Sequence, residues 1–367
     1  MEVILTILRD VHDPRDINAR HDLSAILFVS LAATLCGAKS CVDIADFAEA
    51  NFDVLNEIAP MAHGPPSHDC FSRVFRLLDP EELAAMMVRF CQALRQGLGL
   101  GPPKGVVAVD GKSLRRGYER GRAFAPPLMV SVWDAETRLS IASVKAEGGD
   151  EVGATLKALK ALTLKGCTVT ADALHCHPRM AQAVRDAKAH YALGLKGNHA
   201  PLHKAAIQAF AKADAGGDLR VYETRCSGHG RGEVRRACVL AKPAGAPAFP
   251  GLAALGRIQA ERVDAQGKTS TDTRYVALSK TITPDKLLEV IRAHWSVENH
   301  LHWRLDVVFH EDDARSRKDN APQNLAVIRR IALDILSAHP DKRSISRKMK
   351  LAAWKQTFFF ELFAHMQ

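Results

Sequence analysis

No two cysteines of this chain stand in a C-x-x-C pair, although there are eight, at 36, 41, 70, 91, 167, 176, 226 and 238. That spacing offers no finger-type zinc framework, and scattered thiols without a secretory leader read as reduced and mostly core, in a cytoplasmic protein. Long apolar runs are also missing. The most hydrophobic, Leu23 to Cys36, is about a dozen residues and stops at Gly37, which reads as a buried helix with a glycine C-cap and not a membrane span. There is no internal repeat and no low-complexity tract. Finally, residues 1–100 are short of positive charge, with 8 Lys+Arg against 14 Asp+Glu. Wholesale electrostatic binding of a polyanion by that part is a poor match.

The remaining residues reverse the balance, with 42 Lys+Arg and 27 Asp+Glu, and give a net charge of +9 over 367 residues. A basic excess confined to one part of a chain is what phosphate neutralisation requires. The sign changes at GLGLGPPKG, 97–105, the clearest linker, so a domain boundary is expected there. Residues 1–98 read as helical: Asp22 can cap LSAILFVSLAATLC, PPSHD leads into CFSRVFRLL, and Asp79-Pro80-Glu81-Glu82 opens a third helix. After the linker the pattern turns to strands at 106–109, 127–134 and 139–146, then a helix at 151–164, a strand at 167–172, a helix at 178–189 and a strand at 191–196. The order predicts an α/β fold, a mixed sheet with flanking helices, over 99–215. Residues 216–283 carry four short strands between Gly- and Pro-rich turns and read as a β-rich insertion. Residues 284–335 return to helix, and 336–367 form a basic helical tail.

KGVVAVDGKSLRRG, 104–117, sets Asp110 at the end of an apolar β-branched run, followed at once by Lys112, Arg115 and Arg116. Asp172 ends a second such run, TVTAD. If those strands are neighbours, both carboxylates lie at one sheet edge, where they repel unless a cation sits between them. Hard divalent ions take such oxygen ligands. A helix over 284–306 supplies a third acid, Glu298, with His294 and His302 four residues to either side. Phosphodiester chemistry by two metals needs this kind of set and no covalent nucleophile.

These residues sit within a longer series. DPRD (13–16), CGAKS (36–40), PSHDCFSRVF (66–75), AVDGKSLRRG (108–117), TADALHCH (170–177), LKGNH (195–199), HGRGEVRR (229–236), HWSVENHLHWRLDVVFHEDDARSR (294–317) and APQNLAVIRRIAL (321–333) follow in order. Over nearly its whole length the chain resembles bacterial insertion-sequence transposases of the DDE class, the H-repeat-associated branch with its own N-terminal domain. The resemblance implies a ribonuclease-H-like core that cuts double-stranded DNA at element ends and joins them to target DNA. It implies Mg²⁺ or Mn²⁺, two ions per site on Asp110, Asp172 and Glu298, with Asp110 the bridge. It also implies a homodimer on DNA in the bacterial nucleoid. The larger class places its third acid in Tyr-x2-Arg-x3-Glu-x6-Lys, where this chain has Ile291, His294 and Leu305; Lys196, Arg292 or Arg304 are candidates to hold the phosphate instead. A domesticated DNA-binding protein and a plain metal-dependent nuclease are the alternatives.

Other groups are weighed beside these. His175-Cys176-His177 is too tightly spaced to converge on one ion. Glu311-Asp312-Asp313 reads as a structural cluster, capping or pairing with Arg315, Arg317 and Arg329, with a third metal site the alternative; Arg315 and Arg317 are also candidates for DNA. Trp295 and Trp303 read as core, with stacking on an extruded base the alternative. Arg231, Arg235 and Arg236, in a Gly-flexible loop entering a basic strand, are candidate phosphate-backbone contacts, with a solvated strand face alternating Glu233 and Arg235 the equal alternative. KRSISRKMK, 342–350, is either a sliding phosphate patch or an ordinary exposed basic helix.

Overall fold

The computed structural model describes residues 1–366 apart from 17, 119–125, 218, 229–230 and 265, and apart from the side chains of 228 and 231. Six helices come first: α1 (Glu2–Arg9), α2 (Leu23–Leu35), α3 (Cys41–Ala50), α4 (Phe52–Ile58), α5 (His68–Leu77) and α6 (Pro80–Gly97). Local chemistry starts them. Asp22 accepts from the Ser24 and Ala25 amides, Ser67 from Cys70, and Asp79 from Glu81 with Pro80 at the first helical position, each satisfying donors that a helix start leaves open. Every residue of α2 is buried, which fits a helix apolar on all sides.

The chain then builds β1 (Val106–Ser113), β2 (Leu128–Asp134), β3 (Leu139–Ala146), α7 (Glu151–Lys160), β4 (Thr168–Ala171), α8 (Pro178–Asp186), β5 (His190–Leu195) and α9 (Ala200–Gly216). Strands β1 and β2, and β2 and β3, pair antiparallel, while β4 runs parallel to β1 and β5 parallel to β4. The spatial order 3-2-1-4-5 is the ribonuclease-H-like core that the resemblance implies. Strand alternation sorts its residues. Val107 and Val109 enter the core shared with α7, α8 and α9, and Ala108 faces the core on the other side of the sheet.

The strands that follow, β6 (Val221–Gly228), β7 (Arg231–Ala241), β8 (Ala254–Val263) and β9 (Thr269–Leu278), are not a separate β module. β9 pairs with β5, so one nine-stranded sheet runs through core and extension. Helix α10 (Pro284–His294) packs on this extension through Leu287, Leu288 and Val290. Leu287 lies so close to Gly256 that a Cβ there would meet its Cδ2 at 2.7 Å.

A π-helical turn (Glu298–His302) and α11 (Trp303–Val307) lead to α12 (Ala321–Ala338), α13 (Ile345–Trp354) and α14 (Gln356–Glu361). These last helices share one core with α1–α6. Phe363 packs on Phe28 with ring centroids 6.2 Å apart. The basic stretch 342–350 is therefore a docked helix. Lys348 is buried and donates to the carbonyls of Leu336 and His339, while Lys342, Arg347 and Lys350 face outward. Among the described residues, no helix is long and apolar enough to cross a membrane.

Candidate active site

The register of two strands sets the site. Ala108 of β1 lies opposite Thr170 of β4 in a parallel ladder, so Asp110 and Asp172, each two residues further on, stand at the same level of the same sheet edge. Asp110 is still in the sheet, opposite Ser131 of β2. Asp172 has just left it and caps a 3₁₀ turn, Ala173–His175, accepting from the Leu174 amide at 3.0 Å. Glu298 arrives from above. Its helix is pinned to the sheet where the ring of His294 meets the Thr170 hydroxyl at 3.0 Å. Glu298 begins the π turn one helical turn later, and such turns are frequent where a helix must present a functional side chain.

The electrostatics record how close these acids come. Burial pushes the Asp110 carboxyl up to about 7, reinforced by the charges of Asp172, Glu298 and a fourth acid, Glu151, against the opposing pull of the Gly111 amide. Asp172 is held below the usual carboxylate range by the hydrogen bond from His175 Nδ1 to its Oδ1, at 3.0 Å. The histidines around them are buried. His302 sits 3.4 Å from Asp110 Oδ2, but burial and the nearby Arg330 and Lys112 lower its pKa to about 3, so this contact joins a neutral ring to the acid and is no ion pair. Burial lowers His294 to about 4. Among the described residues, none of the four acids pairs with a lysine or arginine; their recorded partners are imidazoles.

This donor set fits a divalent ion. All four groups offer carboxylate oxygen, the hard ligand that Mg²⁺ and Mn²⁺ prefer. The repulsion that raises Asp110 is what a cation relieves. Among the described residues, no three such side chains are grouped closely enough to hold an ion as they stand. A stability signature follows. Because the Asp110 pKa is about 7 in the fold against 3.8 for the ordinary group, the folded chain binds the extra proton between those values and loses stability as pH rises through that window. Metal-free Asp110→Asn is expected to melt above the wild type at pH 8, and by a smaller margin at pH 4. Added Mg²⁺ is expected to narrow the pH 8 gap, as checked by circular dichroism melts.

The basic residues divide. Lys112 is not a free phosphate contact: its ammonium lies 2.7 Å from both Asp306 and Asp312 and is buried, because a lysine drawn into the core must find counter-charges. Arg235 pairs with Glu233 at 2.6 Å and stacks 5.4 Å over Trp295, whose other neighbour is Arg274 at 4.9 Å. Arg304 is half-buried and donates to Ser337. Arg317 donates to the Arg116 carbonyl at 3.0 Å. Arg115 and Arg116 are exposed, touching Asp312 and Asp313, and Lys196, Arg292 and Arg315 are exposed as well. The Arg231 side chain lies outside the described residues.

The cluster 311–313 is structural, but its partners differ from those expected: Arg330 for Glu311, Lys112 and Arg115 for Asp312, Arg116 for Asp313. Trp303 is not core. Leu301 and Leu305 take the inward positions, and Trp303, midway between them, is 56% exposed. Leu305, where the larger class has lysine, is buried, and His294, where it has arginine, bonds Thr170. Of the histidine–cysteine trio, His175 bonds Asp172, Cys176 is buried, and His177 caps α8. Sequence reasoning missed Glu151 altogether; its only local signal is a position at the start of a helix that follows a strand.

Comparison with known proteins accounts for nearly the whole chain. Residues 101–335 match the model of the transposase DDE domain, and residues 5–91 match that of the DDE_Tnp_1-associated domain. A protein of Escherichia coli K12 named "Putative protein YbfL" is 31% identical over 94% of this chain and 93% of its own length. The "H repeat-associated putative transposase YhhI" of the same organism is 30% identical over 94% of this chain and 93% of its own. A solved structure of the piggyBac transposase synaptic complex with hairpin DNA aligns over 99% of this chain and 78% of that one at 12% identity, with a TM-score of 0.47, too loose a likeness to carry an assignment. On the match of residues 101–335 and of its N-terminal segment, this chain belongs to the DDE-domain transposases, in the group that carries the associated N-terminal domain.

Proposed function

We propose that this transposase cuts DNA at the ends of an insertion sequence and joins those ends to target DNA at the Asp110, Asp172 and Glu298 edge of the sheet. The observation that carries the reading is the parallel register Ala108–Thr170, which sets Asp110 and Asp172 side by side with Glu298 near enough to raise Asp110. Two Mg²⁺ or Mn²⁺ ions, when bound, would activate the attacking hydroxyl and stabilise the leaving oxygen. Asp110, the acid on which the charges of both Asp172 and Glu298 act, would hold the ions together with those two carboxylates.

The chain's own residues supply position. His175 fixes the Asp172 carboxylate and favours its ionised form. His294 ties the Glu298 helix to β4. Trp295, held between Arg235 and Arg274, ties the same helix to the β extension. Exposed Arg115, Arg116, Lys196, Arg292 and Arg315 would meet the phosphate backbone. The acidic N-terminal helices would serve assembly or recognise the end through a small local surface. Because two ends must be joined, the active form would be a dimer on DNA.

The test is a strand-cleavage assay on DNA carrying the inverted repeats that flank the reading frame, with Mg²⁺, followed by analysis of products. Nicks at the repeat ends and joined molecules are expected. Binding without nicking would leave a DNA-binding protein, and free ends without joined products would leave a nuclease.

A further inference from the structure

Glu151, the first residue of α7, is a carboxylate placed at the acid cluster that neither the family motif nor the reading above uses. Three observations locate it. Its side chain packs against the backbone of Gly111, the residue after Asp110, so closely that a Cβ at position 111 would collide with Oε1 of Glu151. Its Oε1 lies 3.7 Å from Nε2 of His175, the ring whose other nitrogen holds Asp172. That ring is fully buried and is fixed a second time to α7 by the Thr155 hydroxyl, 3.0 Å from Nε2. The start of α7 is therefore locked to Asp172 through one imidazole, and Glu151 is held against the residue that follows Asp110 and the ring that bonds Asp172. Its side chain is only 13% exposed, and among the described residues no lysine or arginine pairs with it.

A carboxylate so placed is costly unless it is neutralised. His175 already meets Asp172 through Nδ1 and the Thr155 hydroxyl through Nε2, each at 3.0 Å, and at 3.7 Å it lies beyond hydrogen-bond distance of Glu151. Among the described residues the Glu151 carboxylate thus has no hydrogen-bonded partner of its own, and the ion that the other three acids would hold would provide one. The glycine at 111 fits the same account, since its backbone angles are ordinary and its lack of a side chain leaves room for the carboxylate.

We propose that Glu151 is a fourth metal-facing carboxylate of this site, positioned by Gly111 and His175, so that the functional set is Asp110, Glu151, Asp172 and Glu298. This rests on the reading of the acid cluster as a metal site, and the test separates the two. Metal-free full-length protein is titrated with Mn²⁺, with free Mn²⁺ followed by electron paramagnetic resonance, for the wild type, Glu151→Gln, Gly111→Ala and Asp110→Asn; melting curves check the fold. Loss of a carboxylate directed at the ion is expected to weaken Mn²⁺ binding at least about tenfold, as even outer-shell changes do, or to reduce the number of ions bound. Gly111→Ala, which crowds the carboxylate aside without removing it, is expected to give the same loss and serves alone if the amide variant does not fold. Wild-type binding by Glu151→Gln beside weakened binding by Asp110→Asn would overturn this inference alone. Wild-type binding by both would overturn the metal reading with it.

Discussion

Asp110→Asn is expected to reduce strand cleavage by at least about a thousandfold while DNA binding persists. Burial raises Asp110, and the charges of Asp172 and Glu298 raise it further. An amide there removes one negative ligand and supplies a weaker oxygen donor in its place. Metal-assisted charge stabilisation is worth several kcal/mol in the transition state, and about 4 kcal/mol corresponds to three powers of ten in rate. The substitution keeps size and shape. The fold should survive, and the variant should be more stable than the wild type without metal at neutral pH, the reverse of what a damaged core would show. Gel-shift binding on end DNA measured beside single-turnover cleavage separates the two effects. Retention of cleavage within about tenfold of wild type would sink the proposed role of Asp110 in holding the ions.

The largest expected effect on stability lies one layer behind. Arg330 of α12 and Glu311 are both fully buried, joined at 2.9 Å, and the guanidinium also donates to the Ser131 hydroxyl of β2 and the Ala326 carbonyl. The other oxygen of Glu311 faces Lys112 at 3.9 Å. Removing one partner leaves a charge with no water to receive it, which costs about 3–5 kcal/mol. Glu311→Leu is therefore expected to lower the urea midpoint sharply. Glu311→Leu combined with Arg330→Met should recover much of the loss, because two apolar groups leave no orphan charge. The double variant is still expected to cleave poorly. Lys112 then has two carboxylates in place of three, and the turn that follows β1 loses part of its anchor next to Asp110. A single variant as stable as the wild type would show that the pair contributes nothing to the fold.

Much of this architecture is legible along the chain, because β-branched runs and cap residues are local signals. VVAV, TVTAD and the Asp22, Ser67 and Asp79 caps lie where helices and strands begin or end in the structure. The order of the strands also suggested that two of the acids would share an edge. What could not be read was which edge each later strand would join. The strands of 221–278 have ordinary alternation whether they form a module or extend a sheet, and only pairing of β9 with β5 decides it. Charge partners were illegible for the same reason. Lys112 looks like a phosphate ligand beside Arg115 and Arg116, yet its partner Asp312 lies 200 positions away. Glu151 escaped because nothing near it in sequence marks it; its meaning comes from Gly111 and His175.

The five-residue π turn, Glu298–His302, holds more backbone than an α turn of the same height. Excising one codon between Asn299 and Leu301 would let the segment relax to α-helical winding. Because the turn already takes up the extra residue, everything downstream would keep its facing, with Asp306 still opposite the Lys112 ammonium, and the change would fall on Glu298 and its neighbours within the turn. The reading frame thus contains a point at which the presentation of Glu298 can be altered by a minimal lesion while the layer behind it stays in place.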